Sequence, residues 1–181
     1  EKNPNYKPSI GSKIRDSDDK ITLPYYLGSM DKFKPEDTKQ IDSWIKKNKT
    51  DSYTVQYKMD GVSCLLVSKK GKIKLYTRGD GEEGMDITHF LPYLKSIPKN
   101  IGEISVRAEL EISKEIFETK YKDEYSNPRN MVIGLINAKT LRKGIEDVDF
   151  VAYEIINDKI NDSPENQLET LKKLKFNTVK H

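Results

Sequence analysis

The chain has 181 residues, 35% hydrophobic and 34% charged, with a formal net charge of +3. That length supports one domain with a real core, and no apolar run approaches membrane-spanning length. A single cysteine, Cys64, and two histidines, His89 and His181, exclude an internal disulfide framework and the spacing of a zinc site.

Several smaller features bound the reading further. Cys64 lies in the apolar run Val62-Ser63-Cys64-Leu65-Leu66-Val67 and reads as a core thiol. One cysteine fits a reducing, intracellular compartment. The clusters Lys46-Lys47-Asn48-Lys49 and Lys69-Lys70-Gly71-Lys72 read as solvated turns and helix ends. The chain opens on Glu1 with no secretory signal, and is expected to be a processed chain or part of a longer one.

Residues 1–22 are polar and rich in turn formers, and read as an extended lead-in. Leu23-Pro24-Tyr25-Tyr26-Leu27-Gly28-Ser29-Met30 is apolar and is expected to lie across a body already formed. A helix is predicted from Pro35 to about Lys47. Proline suits its first position, Glu36 and Asp37 its positive end, and Lys46 and Lys47 its negative end. Ile41, Trp44 and Ile45 share one face. Residues 53–58 alternate and predict a half-buried strand. Tyr53, Val55 and Tyr57 would face one way, Gln56 and Lys58 the other. Asp60-Gly61 then closes a tight turn.

Residues 62–68 and 72–77 form a predicted hairpin around Lys70-Gly71. A glycine-rich loop follows, Arg78-Gly79-Asp80-Gly81-Glu82-Glu83-Gly84. Asp86 is expected to cap a short helix with Ile87, Phe90, Leu91 and Leu94 inward, shortened or bent by Pro92. Residues 104–112 alternate strictly. Ile104, Val106, Ala108, Leu110 and Ile112 point one way; Ser105, Arg107, Glu109 and Glu111 point the other. Ser113 caps a helix containing Ile116 and Phe117, and Asn127-Pro128-Arg129-Asn130 opens another. Residues 148–156 are apolar on both faces and predict a central strand. Ser163, Pro164 and the leucines 168, 171 and 174 mark a last helix. Mixed elements with short strand connections give an α+β fold, antiparallel sheets flanked by helices.

Lys58 carries the chemical interest. A lysine attacks an electrophile only as the free amine, and its ordinary pKa is about 10.4, so a site must lower it or take the proton. Asp60 opposes that unless a metal or substrate offsets its charge. A phosphoanhydride with Mg²⁺ supplies such an offset, and a lysyl phosphoramidate is the product. Alone, Lys58-Met59-Asp60-Gly61 better describes a surface lysine before an ordinary turn. The loop from Arg78 to Gly84 has three glycines, so its amides can approach a phosphate, or it is simply a long hairpin loop. Glu109 can bind a ribose hydroxyl or a metal, or face solvent. Arg129 opens a helix, where anions bind readily, or is an ordinary helix-end charge.

Together these residues resemble a known family. Tyr57-Lys58-Met59-Asp60-Gly61 resembles the nucleotidyltransferase signature lysine-x-aspartate-glycine. Thr77-Arg78-Gly79-Asp80-Gly81-Glu82-Glu83-Gly84-Met85-Asp86-Ile87-Thr88 is similar to the block that follows it in NAD-dependent DNA ligases. Val106-Arg107-Ala108-Glu109-Leu110 and Tyr125-Ser126-Asn127-Pro128-Arg129-Asn130, with Gly134 beyond, resemble their next motifs in the same order. The resemblance runs from about Leu23 to the end. It implies the covalent nucleotidyltransferase fold, with residues 23–181 a partial adenylation domain of a larger ligase. That ligase's upstream helical domain and later motifs would lie outside these residues.

The resemblance also implies roles. Lys58 would attack the α-phosphate of NAD, forming lysyl-AMP, and AMP would pass to the 5′-phosphate of nicked double-stranded DNA. A 3′-hydroxyl would then displace it. Ser29 and Met30 would lie beside the adenine, Gln56 at its amino group, and Tyr153 against its face. Asp60 and Gly61 complete the signature, Arg78 would sit near the phosphate, Glu109 would hold the ribose, and Arg129 would lie close to AMP or a DNA phosphate. NAD and Mg²⁺ are the expected cofactors, with no residue assigned as a metal ligand. The expected partners are nicked DNA and the ligase's remaining domains, with no membrane. Two alternatives stay open: an ATP-dependent polynucleotide ligase, and a non-catalytic nucleotide- or DNA-binding module. Three departures point to a divergent branch. Gln56 replaces a family glutamate, Asn137 a second arginine, and Phe90 an asparagine.

Overall fold

The computed structural model describes residues 20–50, 52–138, 140–156 and 162–181. Most of the lead-in segment therefore lies outside the described residues. The elements in chain order are β1 (Lys20–Thr22), α1 (Thr38–Lys47), β2 (Val62–Lys69), β3 (Lys72–Thr77), β4 (Glu83–Met85), β5 (Ile104–Glu111), α2 (Lys114–Lys120), α3 (Pro128–Ile136), β6 (Asp149–Ile155), α4 (Pro164–Lys173) and β7 (Asn177–Thr178). A five-stranded sheet has the order β3-β2-β5-β6-β7, and β1 pairs with β4 in a second, two-stranded sheet.

Local chemistry accounts for most of these elements. Lys70 and Gly71 both adopt positive φ, 50° and 71°, which gives the two-residue turn whose twist matches a hairpin. That turn sets the β2–β3 register from Cys64 opposite Thr77 to Lys69 opposite Lys72. Ser113, Asn127 and Ser163 each accept a hydrogen bond from the backbone N–H three residues on, which satisfies an otherwise orphaned donor of α2, α3 and α4.

The alternation of β5 separates two layers. Val106, Ala108 and Leu110 are buried with Leu66, Leu75, Phe117, Met131, Leu135, Phe150, Leu168 and Leu171 in the main core. The opposite sheet face carries Leu65 and Val67, covered by Leu23 and Leu27. Leu23 and Leu27 donate backbone hydrogen bonds to Glu82 (2.8 Å) and Gly81 (2.9 Å), so the 23–27 segment does cross a preformed sheet. The rest of that face stays open and polar. Cys64 is fully buried, and burial pushes its thiol well above the usual range.

Five expectations need correction. Residues 53–58 form no strand: Tyr53, Val55 and Tyr57 are 52%, 79% and 74% exposed. Alternation makes a strand only where a neighbour pairs with it, and the segment's backbone tie is Tyr57 N–H to the Lys180 carbonyl at 3.2 Å. The first helix begins at Thr38, not Pro35, because Lys34 and Asp37 close a turn through two mutual hydrogen bonds. It buries no residue fully, and Trp44 packs between Phe33 and Tyr53 at centroid distances of 6.4 and 6.0 Å. The segment after Asp86 makes only a 3₁₀ turn, Thr88–Phe90, although Asp86 does accept from Thr88 N–H at 2.9 Å. β6 is interior but not the middle strand, and β7 pairs with it in parallel. Lastly, residues 20–22 of the lead-in pair as β1. No helix among the described residues is long and apolar enough to cross a membrane.

Candidate active site

The open half of the sheet face gathers most of the predicted residues. Ser63 of β2 stands opposite Glu109 of β5, and Arg78 N–H donates to the Ser63 carbonyl at 2.8 Å. Strand pairing alone thus places the end of β3, the start of β2 and the middle of β5 side by side. Gly61, just before β2, donates its N–H to Glu109 Oε1 at 3.1 Å. That bond lays the Lys58–Gly61 signature over β5. Arg129, in the first turn of α3, reaches Asp60 with Nη1 to Oδ1 at 3.1 Å. Lys58 is solvent-exposed and makes no hydrogen bond or ion pair with a described residue.

Glu109 is the electrostatic centre. Burial pushes its carboxyl above the usual range; the Gly61 N–H and the charges of Arg129, Lys58 and Arg78 pull it back. The charges of three cations from three separate segments therefore act on one half-buried carboxylate. A native pKa above the unfolded value means the native state still binds a proton that the unfolded state has released. Stability contributed by Glu109 therefore falls as pH rises from the ordinary carboxylate range through the raised native value. We predict that Glu109→Gln raises the melting temperature, with a gain that grows across that interval and is flat above it. Melting curves over a pH series check this; a gain independent of pH would contradict it.

Tyr153 completes the wall. Its hydroxyl shares a 3.1 Å hydrogen bond with Ser63 Oγ, and burial pushes its pKa up. The Arg107 guanidinium lies 5.7 Å from the Tyr153 ring centroid and donates to the Gly28 carbonyl at 2.6 Å. Ser29 and Met30 follow Gly28 and are exposed. Gln56 is half-buried on the unpaired segment and makes no hydrogen bond to a described residue. Ser63 and Arg107 were not assigned roles from the sequence. The available signal was that Arg107 shares the polar face of β5 with Glu109.

The glycine-rich loop works differently from expectation. Asp80 Oδ1 accepts from the N–H groups of Glu82 (3.0 Å) and Glu83 (2.8 Å), and these bonds hold the Asp80 carboxyl below its usual range. Asp80 N–H donates to Glu83 O and Gly81 N–H to Arg78 O. Those four amides are engaged within the loop, so they form no phosphate cradle. The glycines serve close packing instead. A Cβ at Gly81 would stand 2.8 Å from the Leu27 carbonyl oxygen, and one at Gly84 would stand 2.1 Å from that of Thr77. Arg78 is the loop residue whose charge acts on Glu109.

This α+β architecture is that of a nucleotidyltransferase adenylation domain. The chain belongs to the NAD-dependent DNA ligase adenylation domain family, whose model matches residues 27–181. It is 41% identical, over a 166-residue alignment that covers 87% of this chain, to a protein of Invertebrate iridescent virus 6 named as a candidate DNA ligase. It is 40% identical, over a 181-residue alignment that covers 95% of this chain, to a protein of Acanthamoeba polyphaga mimivirus named DNA ligase. A DNA ligase of Pelagibacter ubique is 34% identical over 164 residues, 82% of this chain and 24% of the relative. The chain spans about a quarter of the length of the two viral relatives, 26% and 27%.

Proposed function

We propose that these residues are the nucleotide-activating part of a DNA ligase that takes AMP from NAD. The observation that carries the reading is the convergence of Lys58, Arg78 and Arg129 on Glu109. A dinucleotide brings negative phosphates, and an exposed lysine whose charge acts on the same carboxylate as those of two arginines suits their binding. In the first step the Lys58 amine, having lost a proton, attacks the α-phosphorus of the AMP half. The P–N bond forms, the P–O bond to the second phosphate breaks, and nicotinamide mononucleotide leaves with the bridging oxygen. In the second step a DNA 5′-phosphate oxygen displaces Lys58 from phosphorus and takes the AMP. A 3′-hydroxyl at the nick then displaces AMP and seals the strand.

The chain's own residues divide the work. Glu109, oriented by the Gly61 N–H, accepts from a ribose hydroxyl; Tyr153 offers its face to the adenine; and Ser29, Met30 and Gln56 edge the base. Asp60 is held by Arg129, which lowers its opposition to the Lys58 amine. Half of the Arg129 side chain is exposed, so it can also meet a phosphate of AMP or DNA.

No group of three or more metal-ligating side chains is placed to hold an ion among the described residues. Mg²⁺ suits such a site, since it is commonly bound by substrate phosphates with one or two carboxylates. Asp60 and Glu109 are the carboxylates flanking Lys58. The ion would neutralise phosphate charge. Nicked duplex DNA and the ligase's other domains are the partners this reading requires.

The test is labelling of the full-length protein with NAD or ATP radiolabelled in the adenylate. Label on Lys58 from NAD, and not from ATP, that survives alkali and is lost in acid, as a P–N bond is, is the expected result. Label from ATP alone would move the reading to an ATP-dependent ligase. Nucleotide binding without label would leave only a binding module.

A further inference from the structure

Arg107 does more than fill the sheet face. It lies on the middle strand, two residues before Glu109, with a side chain only 12% exposed. Its Nη2 donates to the Gly28 carbonyl at 2.6 Å, and its Nη1 pairs with Glu154 Oε2 at 3.3 Å. Its plane stands beside the Tyr153 ring. Its Nε is buried and has no hydrogen-bond partner among the described residues.

A buried guanidinium with one orphaned donor is a poor source of stability. An apolar side chain continuing the Leu23, Leu27 and Leu65 cluster would fill the same space at less cost. Arginine instead supplies geometry. The β5–β6 register shifts between Arg107 and Ala108: Arg107 opposes Glu154, Ala108 opposes Ala152, and Tyr153 is the extra residue. A bulge re-aims the side chain it carries. Tyr153 already shares the face of Glu109 and Ser63 by alternation from Val151, and the bulge brings Glu154 onto that face too, opposite Arg107. Arg107 braces that bulge through Glu154 and, with the other arm of its fork, ties down the strand-crossing segment at Gly28. A lysine has no such fork and could not hold both at once.

We propose that Arg107 is a positioning residue for the base of the nucleotide. It sets the Tyr153 ring and the Gly28-Ser29-Met30 segment at a fixed separation, while Glu109 on the same strand holds the ribose. This rests on the proposed nucleotide reading.

The test uses the full-length protein and its Arg107→Ala, Arg107→Lys and Glu154→Gln variants. Lys58 adenylation is followed with NAD and with its hypoxanthine analogue, alongside melting temperatures. Arg107→Ala is expected to raise KM for NAD about tenfold, with kcat within about threefold, as loss of binding geometry rather than of reacting groups would do. The preference for adenine over hypoxanthine is expected to fall in parallel, and Arg107→Lys to recover little of either. A merely structural role would lower the melting temperature and leave KM and base preference unchanged, and that result would overturn the proposal. Should Arg107→Ala not fold, the same shifts in Arg107→Lys and Glu154→Gln decide it, and their absence overturns it. Absence of adenylate on the unsubstituted protein would instead sink the nucleotide reading itself.

Discussion

Lys58→Ala in the full-length protein is expected to abolish adenylate formation, a loss on the order of 10⁴-fold or more, because on the proposed reading no other group forms the bond to phosphorus. Lys58→Arg is expected to be equally inactive, and that second variant decides between two roles. If Lys58 only attracted phosphates, arginine would keep most of the activity, since it retains the charge and adds donors. If Lys58 is the nucleophile, arginine fails, because a guanidinium never supplies a free amine near neutral pH. Both variants should melt like the parent, since Lys58 is exposed and makes no hydrogen bond or ion pair with a described residue. Measurable label on Lys58→Arg would refute the nucleophilic role, whereas loss of label with a lowered melting temperature would point to misfolding.

The same lysine shows how far the sequence could be read. Its neighbours in space came from separate parts of the chain, and each had a local signal. Glu109 stood out as a charge in an alternating strand, and Arg129 as the residue after a capping Asn-Pro. Strand pairing turned those signals into proximity: Ser63 opposite Glu109 and Gly61 bonded to it. The hairpin and the three capped helices were legible because their causes lie within a few residues of each other.

What was not legible depended on distant partners. The alternation of residues 53–58 matches a strand, but nothing pairs along it, and its aromatic side chains stay exposed. The parallel register of β7 depends on where α4 returns the chain, which no local pattern encodes. The loop glycines were read as room for a phosphate, yet they make room for the 23–27 segment and for Thr77. Arg107 was marked locally only by sharing a polar strand face with Glu109; its importance lies in reaching Gly28, 79 positions away.

Gly61 carries the second large effect, and here stability and chemistry fail together. A Cβ at this position would stand 2.1 Å from the Leu110 carbonyl oxygen and 3.1 Å from Glu109 Cγ. The obstructing oxygen belongs to the backbone of β5, which β2 and β6 hold from both sides. It cannot turn away as a flexible side chain would, so β2 must shift as a whole. Overpacking of this kind costs about 3 kcal/mol. For a domain of this size that is a fall of roughly 6–12 °C in melting temperature. The shift also lengthens the Gly61 N–H bond to Glu109, so adenylate formation should drop in whatever fraction remains folded. Gly102→Ala supplies the comparison. Gly102 has a positive φ of 67°, yet nothing lies within 4 Å of a Cβ there. Backbone strain alone costs about 1 kcal/mol, and Gly102→Ala should keep its adenylation. Equal melting shifts for the two variants would mean that β5 yields at Leu110. The close approach of the signature to that strand would then not be what holds Gly61 against Glu109.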